Sequence, residues 1–396
     1  MAELQQQLDV ETIADRARSL WRDAGERAST ARVELFAKAA VRSRVTRDLD
    51  GVSARSDRVF ESGLAVRALH SAHDHAGFAA ASGLSADVVR WAVDTACTFR
   101  AQASPSAPSP SDAVAAERWD LDEALSLPSD DALTTALIAR PRLEWIEAGT
   151  TVEVLIGAEG WLAARRRHRL WALGGAPGSR LAAQRGIAGW ERLLDRLTDD
   201  SSVSGDASGN LDVVVLTPDA AASVVAALVN AFHGPGSVPE KACGTGWGVA
   251  DEPNRHDALA GGSFDDAGFP AASRVLAVNG VWVGRLEGPG TLRRSSFREP
   301  PTDAPTNLVM RSGSAEFNSD DASVAHRCRV LRPSAELWVM ELDLVDPNKG
   351  GGLKRKWLRV QPRSLFAACA ARLGSSIVTS AGPIVPALRF EGLRRN

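Results

Sequence analysis

The chain has 396 residues, of which 44% are hydrophobic and 24% charged, a balance typical of ordinary globular proteins. The formal net charge of -3 excludes a global electrostatic attraction to nucleic acid, so such binding would need a local basic patch. The length exceeds the size at which one hydrophobic core keeps growing, so we expect two domains.

The cysteines predict a reducing compartment. Cys97, Cys243, Cys328 and Cys369 are far apart and form no Cys-x-x-Cys pair, which argues against a zinc ribbon and a disulfide framework. The N-terminus lacks the apolar core of a signal peptide, and no run reaches the roughly 18 apolar residues of a membrane span. We therefore expect a cytoplasmic protein.

In the first half, apolar residues recur at helical spacing from Val10 to about Arg27 and predict an amphipathic helix. Strand-like runs follow, and "LSADVVRWAVDTACTFRAQA" predicts a helix capped by Ser85. "SPSAPSPSD" is typical of a loop. "TTVEVLIGAEGWLAARRRHRLWAL" indicates two strands with a turn at Gly157 to Gly160, and "GIAGWERLLDRL" a short helix.

The most polar stretch, "TDDSSVSGDASGN", predicts a domain boundary, giving domains of residues 1–200 and 201–396. The second half begins with the strand "LDVVVLTP" and the apolar helix "DAAASVVAALVNAF". It then consists of short β-like runs rich in Gly and Pro, and helix returns only near Ser364 to Leu373. The fold class predicted is α+β, with an N-terminal α/β domain and a C-terminal domain of mainly antiparallel β-structure.

Three of the seven histidines lie in "HSAHDHAGF" and raise the question of a metal site. On one strand, His73 and His75 would share a face while His70 would lie on the other. We therefore favour a β-hairpin with its tip near His73 and Asp74, and keep a metal site as the alternative.

Two other runs have competing interpretations. "RRRHRLW", Arg165 to Trp171, resembles a phosphate-binding patch, but strand alternation sends its arginines to both faces, which favours a solvated or interface strand. The helix preceding Gly234 has Asn230 and His233 in its last turn. They could hydrogen-bond a ligand but cannot alone hold zinc, and capping by His233 is the simpler role.

The order of several motifs resembles the TldD/PmbA family, the modulators of DNA gyrase known better for peptide hydrolysis. The similar segments are "ESGLAVRALHSAHDHAGFAAASGLSADVVRWAVDTA", "LDVVVLTPDAAASVVAALVNAFHG", "SFDDAGFPAASRVLAVNGVWVGRLEGPGTLRRSSFREPPTDAPTNLVM" and "SSIVTSAGPIVPALRFEGL". They cover most of the chain, although residues 103–200 match poorly.

The resemblance implies which kind of subunit this is. TldD-type chains of the family have a metal-binding HExxxH helix, whereas TldE (PmbA)-type chains lack it and pair with TldD. Alignment through Gly234 places the two histidine positions at Val225 and Asn230 and the glutamate position at Ala226. Valine and alanine cannot ligate a metal or act as a base. The resemblance thus implies a noncatalytic TldE-like subunit without a cofactor, with zinc expected in a TldD-like partner.

The expected assembly is a heterodimeric peptidase or amide hydrolase in which this chain forms one wall of the substrate chamber. Arg293, Arg294 and Asn307 are candidate contacts to substrate or partner, with stabilisation of the fold as the alternative. The divergent middle of the chain suggests a modified peptide or a natural product as substrate. Two further functions stay open, an autonomous metal-binding hydrolase using His70, His73 and His75, and a gyrase-associated nucleic-acid-binding protein.

Overall fold

The computed structural model describes residues 8–29, 31–48, 51, 53–70, 75–98, 100–102, 117–123, 127–174, 180–198, 213–233, 246–294, 296–311, 322–331, 336–346, 352–379 and 382–393. The helices are α1 (Val10–Ala28), α2 (Ala86–Thr98), α3 (Asp130–Ile138), α4 (Trp190–Thr198), α5 (Pro218–His233) and α6 (Pro362–Ala367). The strands of the first sheet are β1 (Arg32–Arg47), β2 (Ala54–His70), β3 (His75–Ser82), β4 (Arg100–Gln102), β5 (Arg118–Leu121), β6 (Leu143–Ile156), β7 (Leu162–Gly174) and β8 (Arg180–Arg185).

The first sheet is mainly antiparallel, in the order β4-β3-β2-β1-β6-β7-β5, with β8 paired to β7. Among the described strands of this sheet, β5 alone runs parallel to its neighbour, β7. The long β1–β2 pair keeps one register from Arg32 and Leu69 to Arg47 and Ala54. Because side chains alternate along each strand, this continuous register gives the sheet two distinct faces.

Helices α1 and α2 cover one face of the first sheet. Helix α1 begins after Asp9, whose carboxylate accepts a backbone hydrogen bond from its first turn. Its apolar stripe packs against alternate residues of β1, among them Leu35 and Ala37. The two helices predicted here, from Val10 and after Ser85, are confirmed.

The predicted turn between two strands at Gly157 to Gly160 is also confirmed, because it joins β6 to β7. The Gly157 amide donates to the Trp161 carbonyl across 3.0 Å, and Gly160 has a φ of +85° that favours glycine. The short helix predicted in "GIAGWERLLDRL" is α4.

The second sheet contains the later strands of the chain. They are β9 (Val213–Leu216), β10 (Val249–Asp251), β11 (Arg274–Val278), β12 (Val281–Trp282), β15 (Leu308–Met310), β16 (Ser323–Val330), β17 (Trp338–Asp346), β18 (Gly352–Val360), β19 (Cys369–Val378) and β20 (Ile384–Glu391). The short pair β13 (Leu292–Arg293) and β14 (Thr302–Asp303) stands apart. The order is β12-β11-β10-β15-β20-β9-β16-β17-β18, with β19 on β20.

Most pairs in the second sheet are antiparallel, and the exceptions are β15 with β20 and β9 with β16. Helix α5 packs on one face, where its buried residues join Trp338, Phe366 and Phe390 in the largest apolar core. The predicted α+β fold, with mainly antiparallel strands in the second half, is confirmed.

The helix predicted near Ser364 to Leu373 is wrong in its second part. Helix α6 ends at Ala367, and Cys369 already begins β19, which pairs with β20. Pro362 starts the helix with a preset φ, whereas pairing with a strand remote in sequence decides the conformation of the residues after it.

The predicted boundary at residue 200 and the Pro/Ser loop lie outside the described residues. The strands of each sheet fall on one side of that boundary, while the division into two domains stays a prediction. In the part of the chain that the structure describes, none of the helices has the length and apolar character needed to span a bilayer.

Candidate functional site

The second face of the first sheet is covered by residues 252–304, here called the covering segment. Phe264 and Phe297 of this segment pack in one apolar cluster with Phe36 and Trp161 of the first half of the chain. Gly63 of β2 makes this possible, since a Cβ there would lie 2.3 Å from the Phe297 ring. The halves of the chain therefore meet through a packed interface rather than through a linker alone.

Arg165 links the sheet to the covering segment. Its guanidinium hydrogen-bonds Glu153 on the adjacent strand β6 and Asp266 on the segment. Burial would raise the pKa of Asp266, but the charges of Arg165 and Arg293 and the hydrogen bonds from Arg294 and Arg165 together outweigh burial and hold that pKa below its usual value. Asp266 also accepts a 2.6 Å hydrogen bond from the Arg294 amide. This carboxylate is ionised and fully engaged.

Arg167 forms a second link, two residues along the same face. Its Nη2 donates to Asp120 Oδ2 at 2.6 Å and to the Gly261 carbonyl at 2.9 Å. Asp120 in turn accepts from the Ser263 amide at 2.6 Å. A Cβ on Gly262 would lie 2.2 Å from Asp120 Oδ2, so this approach requires glycine.

Arg169 extends the row by donating to the Leu259 carbonyl at 3.0 Å. The predicted alternation is confirmed: Arg165, Arg167 and Arg169 share one face, where chain groups engage all three guanidinium groups. The side chain of Arg167 is only 4% exposed. The run thus has the geometry of an internal ion-pair network, not of an open phosphate-binding patch.

Asp265 organises the segment itself. Its Oδ1 accepts from the Ala267 and Phe269 amides, both at 2.9 Å, and its Oδ2 from the Gly290 and Leu292 amides at 2.8 and 3.3 Å. One buried carboxylate therefore fixes a turn and the start of the β13–β14 hairpin together. Sequence reasoning missed Asp265 and Asp266, although the "DD" in "SFDDAGFP" was a visible signal.

Arg293 and Arg294, both predicted contacts, lie at this hairpin with their guanidinium groups mostly buried. Arg293 hydrogen-bonds Thr306 Oγ1 and the Leu292 carbonyl, and burial lowers its pKa. Arg294 stacks on Phe36 at 4.9 Å and donates to the Glu299 carbonyl at 2.8 Å. Burial lowers the pKa of Arg294 to about 10. Both arginines hold the segment in place.

Asn307, the third predicted contact on this side, is 0% exposed. Its side-chain Nδ2 donates to the carbonyls of Ala260 at 2.6 Å and Glu252 at 3.2 Å. Its backbone N–H donates to Asp251 Oδ1 at 2.7 Å. Burial raises the pKa of Asp251. These contacts close the loop of residues 252–262, so the Asn307 side chain stabilises the fold in this structure.

Helix α5 contains the remaining predicted residues. Val225 is 0% exposed in the main core, Ala226 packs partly buried against it, and Asn230 is exposed in the last turn. His233 ends the helix, and its side chain lies outside the described residues. Asn230 therefore lies on a different element of the fold from Arg293, Arg294 and Asn307.

The histidine stretch forms the predicted hairpin. His70 ends β2, His75 begins β3, and the two are paired across the antiparallel ladder. His73 at its tip lies outside the described residues, as does the His75 side chain. Within the residues that are described, no three His, Cys, Asp or Glu side chains group closely enough to hold a metal ion.

The fold and this interface define an α+β protein of two large sheets joined through a buried polar network. The sequence matches no protein-family model and none of the curated proteins. Among solved structures, TldE from Thermococcus kodakarensis is similar over 96% of this chain and 99% of its own, with a TM-score of 0.70 and 13% identity.

Two further structures share the fold. A candidate modulator of DNA gyrase from Bacteroides thetaiotaomicron has a TM-score of 0.65 and 15% identity, over 96% of this chain and 99% of its own. One from Thermotoga maritima has a TM-score of 0.61 and 14% identity, over 97% and 99%. The chain has the TldE and gyrase-modulator fold, and the predicted resemblance to the TldD/PmbA family is confirmed at the level of the fold.

Proposed function

We propose that this chain is a noncatalytic TldE-type subunit of a heterodimeric, metal-dependent peptidase or amide hydrolase. The observation that carries the proposal is the fold shared with TldE over 96% of the chain, combined with the side chains on helix α5. The family resemblance places the metal-binding residues of TldD-type subunits on this helix, where the present chain has Val225, Ala226 and Asn230.

The burial of Val225 supports this assignment physically. A metal ligand must reach the ion with a donor atom and must be exposed to a cleft that admits water and substrate. Val225 has no donor atom and is fully enclosed in the core of the second sheet. The helix in this chain is therefore suited to packing, and the proposal assigns zinc to a TldD-like partner.

In this proposal the chain contributes shape rather than chemistry. Zinc in the partner would polarise a water molecule for attack on the amide. This chain would form the opposite wall of the chamber, restrict access of bulk water and hold the substrate extended. Asn230 and His233, at the end of α5, are the proposed direct contacts to substrate or partner.

We propose a structural role, rather than contact with substrate, for Arg293, Arg294 and Asn307. Their polar groups already bind the covering segment, so we assign them to holding the wall rather than to recognising the substrate. The arginines Arg165 and Arg167 anchor the same wall to the first sheet. The proposed substrate is a peptide or another amide, with modified peptides or natural products as a further proposal, and the proposed location is the cytoplasm.

The test is reconstitution with a TldD-like protein from the same source. The chain, the TldD-like protein and their mixture are assayed for co-elution, for zinc content and for hydrolysis of a labelled peptide library. The proposal expects a complex that hydrolyses peptides, with zinc following the TldD-like subunit. Asn230→Ala should reduce hydrolysis with the complex intact, and Arg22→Ala on the exposed face of α1 is the matched control.

Hydrolysis by this chain alone, with stoichiometric zinc, would contradict the proposal. The triple replacement of His70, His73 and His75 by alanine then identifies whether the histidine hairpin holds the metal. A complex that forms and hydrolyses peptides equally well when Asn230 is replaced would remove Asn230 from the site while leaving the subunit role intact.

A further inference from the structure

Strand β18 is an open edge of the second sheet. It pairs with β17 in one register from Trp338 and Val360 to Asp346 and Gly352. No strand among the described residues pairs with its other side. In an antiparallel pair, alternate residues direct their backbone N–H and C=O groups away from the neighbour, so the free side of β18 presents a row of donors and acceptors.

The side chains of this edge are strongly basic on both faces. Arg355, Trp357 and Arg359 alternate on one face, and Lys354 and Lys356 lie on the other. Trp357 is 57% exposed. The edge strand "GLKRKWLRV" therefore contains four cations and an exposed aromatic ring within six consecutive positions.

Only one of these cations is neutralised by a carboxylate of the described residues. Arg355 Nε lies 2.6 Å from Glu341 Oε1 and 3.0 Å from Asp343 Oδ1, both on β17. Lys354, Lys356 and Arg359 form no ion pair within the described part of the chain. The charge at the edge is thus left for solvent or for a ligand.

A strand added to β18 would place its side chains about 4.5–5.5 Å from those of β18. Its neighbours would be cations on both faces, so acidic side chains on both faces would complement them. A second copy of β18 would meet like charges, which is how basic edges prevent self-pairing. The same charges that exclude a copy attract an acidic strand.

The neighbouring carboxylates distinguish a peptide from a nucleic acid. Glu341 and Asp343 lie beside the outward face of β18 and would repel phosphates placed over that face. A peptide at the outer edge avoids them and also uses the free backbone groups, which a phosphodiester chain cannot match. We propose that the β18 edge binds an extended, acidic peptide segment by strand addition, with Lys354, Lys356, Trp357 and Arg359 selecting its side chains.

This inference does not depend on the proposed function. Its test uses the full chain and a fluorescein-labelled peptide in which Glu-Glu-Thr-Thr is repeated twice, so that each face of the strand has two glutamates. Fluorescence anisotropy is measured for this peptide, for the same peptide with lysine in place of glutamate, and for a version N-methylated at alternate residues. An eight-nucleotide oligothymidylate is the fourth probe.

The expected result is binding of the glutamate peptide and loss of binding for the lysine and N-methylated versions. Arg359→Glu should weaken binding about 3- to 10-fold, because an attractive exposed ion pair becomes a repulsive one. Arg22→Glu changes the net charge equally at an exposed position of α1, which packs on the first sheet rather than the second, and should leave affinity within about 2-fold. Far-ultraviolet circular dichroism verifies that both variants are folded.

Four outcomes would overturn the inference. Equal binding of the N-methylated peptide would show electrostatic attraction without strand addition. Equal weakening by Arg22→Glu would show that binding is not at β18. Absence of peptide binding up to millimolar concentration, or tighter binding of the oligothymidylate, would exclude an acidic peptide as the occupant.

Discussion

Gly63 provides the sharpest test of how the covering segment docks on the first sheet. In the structure, a Cβ at this position would lie 2.3 Å from Phe297 Cε2 and 2.5 Å from Cζ, so Gly63→Ala must displace the ring. Phe297 is only 3% exposed, and releasing it to solvent forfeits at most the transfer free energy of one phenylalanine. We expect Gly63→Ala to lower the free energy of unfolding by about 1.5–3 kcal/mol.

The measurement is urea unfolding followed by circular dichroism, with Gly25→Ala as the matched control. Gly25 lies within α1 and a Cβ there would meet no atom within 4 Å, so this change should stabilise the protein by about 0.5–1 kcal/mol. In a Phe297→Ala background, Gly63→Ala should become neutral. An equal loss of stability in both backgrounds would refute docking of Phe297 on Gly63.

Three further predictions concern the buried groups. Asp266→Asn should lower the free energy of unfolding by about 3 kcal/mol, because it removes one counter-charge of the buried Arg165. Asp57→Asn, at an exposed ion pair, should lower it by less than about 1 kcal/mol. Equal losses of the two variants in urea unfolding would contradict this prediction. Burial would raise the pKa of Asp120, but its hydrogen bonds with Arg167 and Ser263 and the charges of Arg167 and Arg185 together outweigh burial and keep the pKa low. Its stabilisation is therefore present above the ordinary aspartate pKa and lost as pH falls through the lowered value. Asp120→Asn should thus be less stable than the parent at pH 6, and the difference should shrink as pH falls below the ordinary aspartate pKa. Burial raises the pKa of Cys328 to about 12 and of Cys369 to about 11. At pH 8, about one in a thousand of these thiols or fewer is therefore ionised. Because the thiolate is the reactive form, mass spectrometry should find both cysteines alkylated by iodoacetamide only after unfolding.

The elements with strong local periodicity were predictable from the sequence. The stripe of α1, the apolar helix α5 and the Gly160 turn follow from side-chain spacing and from the conformational freedom of glycine. Strand β19 was not predictable in this way, because its conformation depends on pairing with β20. Helix α3 and strand β5 lie in the region where no motif guided the interpretation.

The same distinction between local pattern and long-range pairing applies to the candidate site. The basic run around Arg165 could be recognised in the sequence. Its partner Asp266 is 101 residues away, and no local sequence pattern predicts a pairing over that separation. Asn307 was predicted as a contact because it lies in a polar, Gly/Pro-rich region. The structure places its amide against backbone carbonyls instead, which only the path of residues 252–262 determines.

The measurement that tests the subunit assignment most directly is metal content and peptide hydrolysis of the purified chain, alone and after mixing with a TldD-like protein. We predict less than stoichiometric zinc and no hydrolysis for the chain alone, and a hydrolytic complex after mixing. Stoichiometric zinc with full hydrolysis by the chain alone would contradict it.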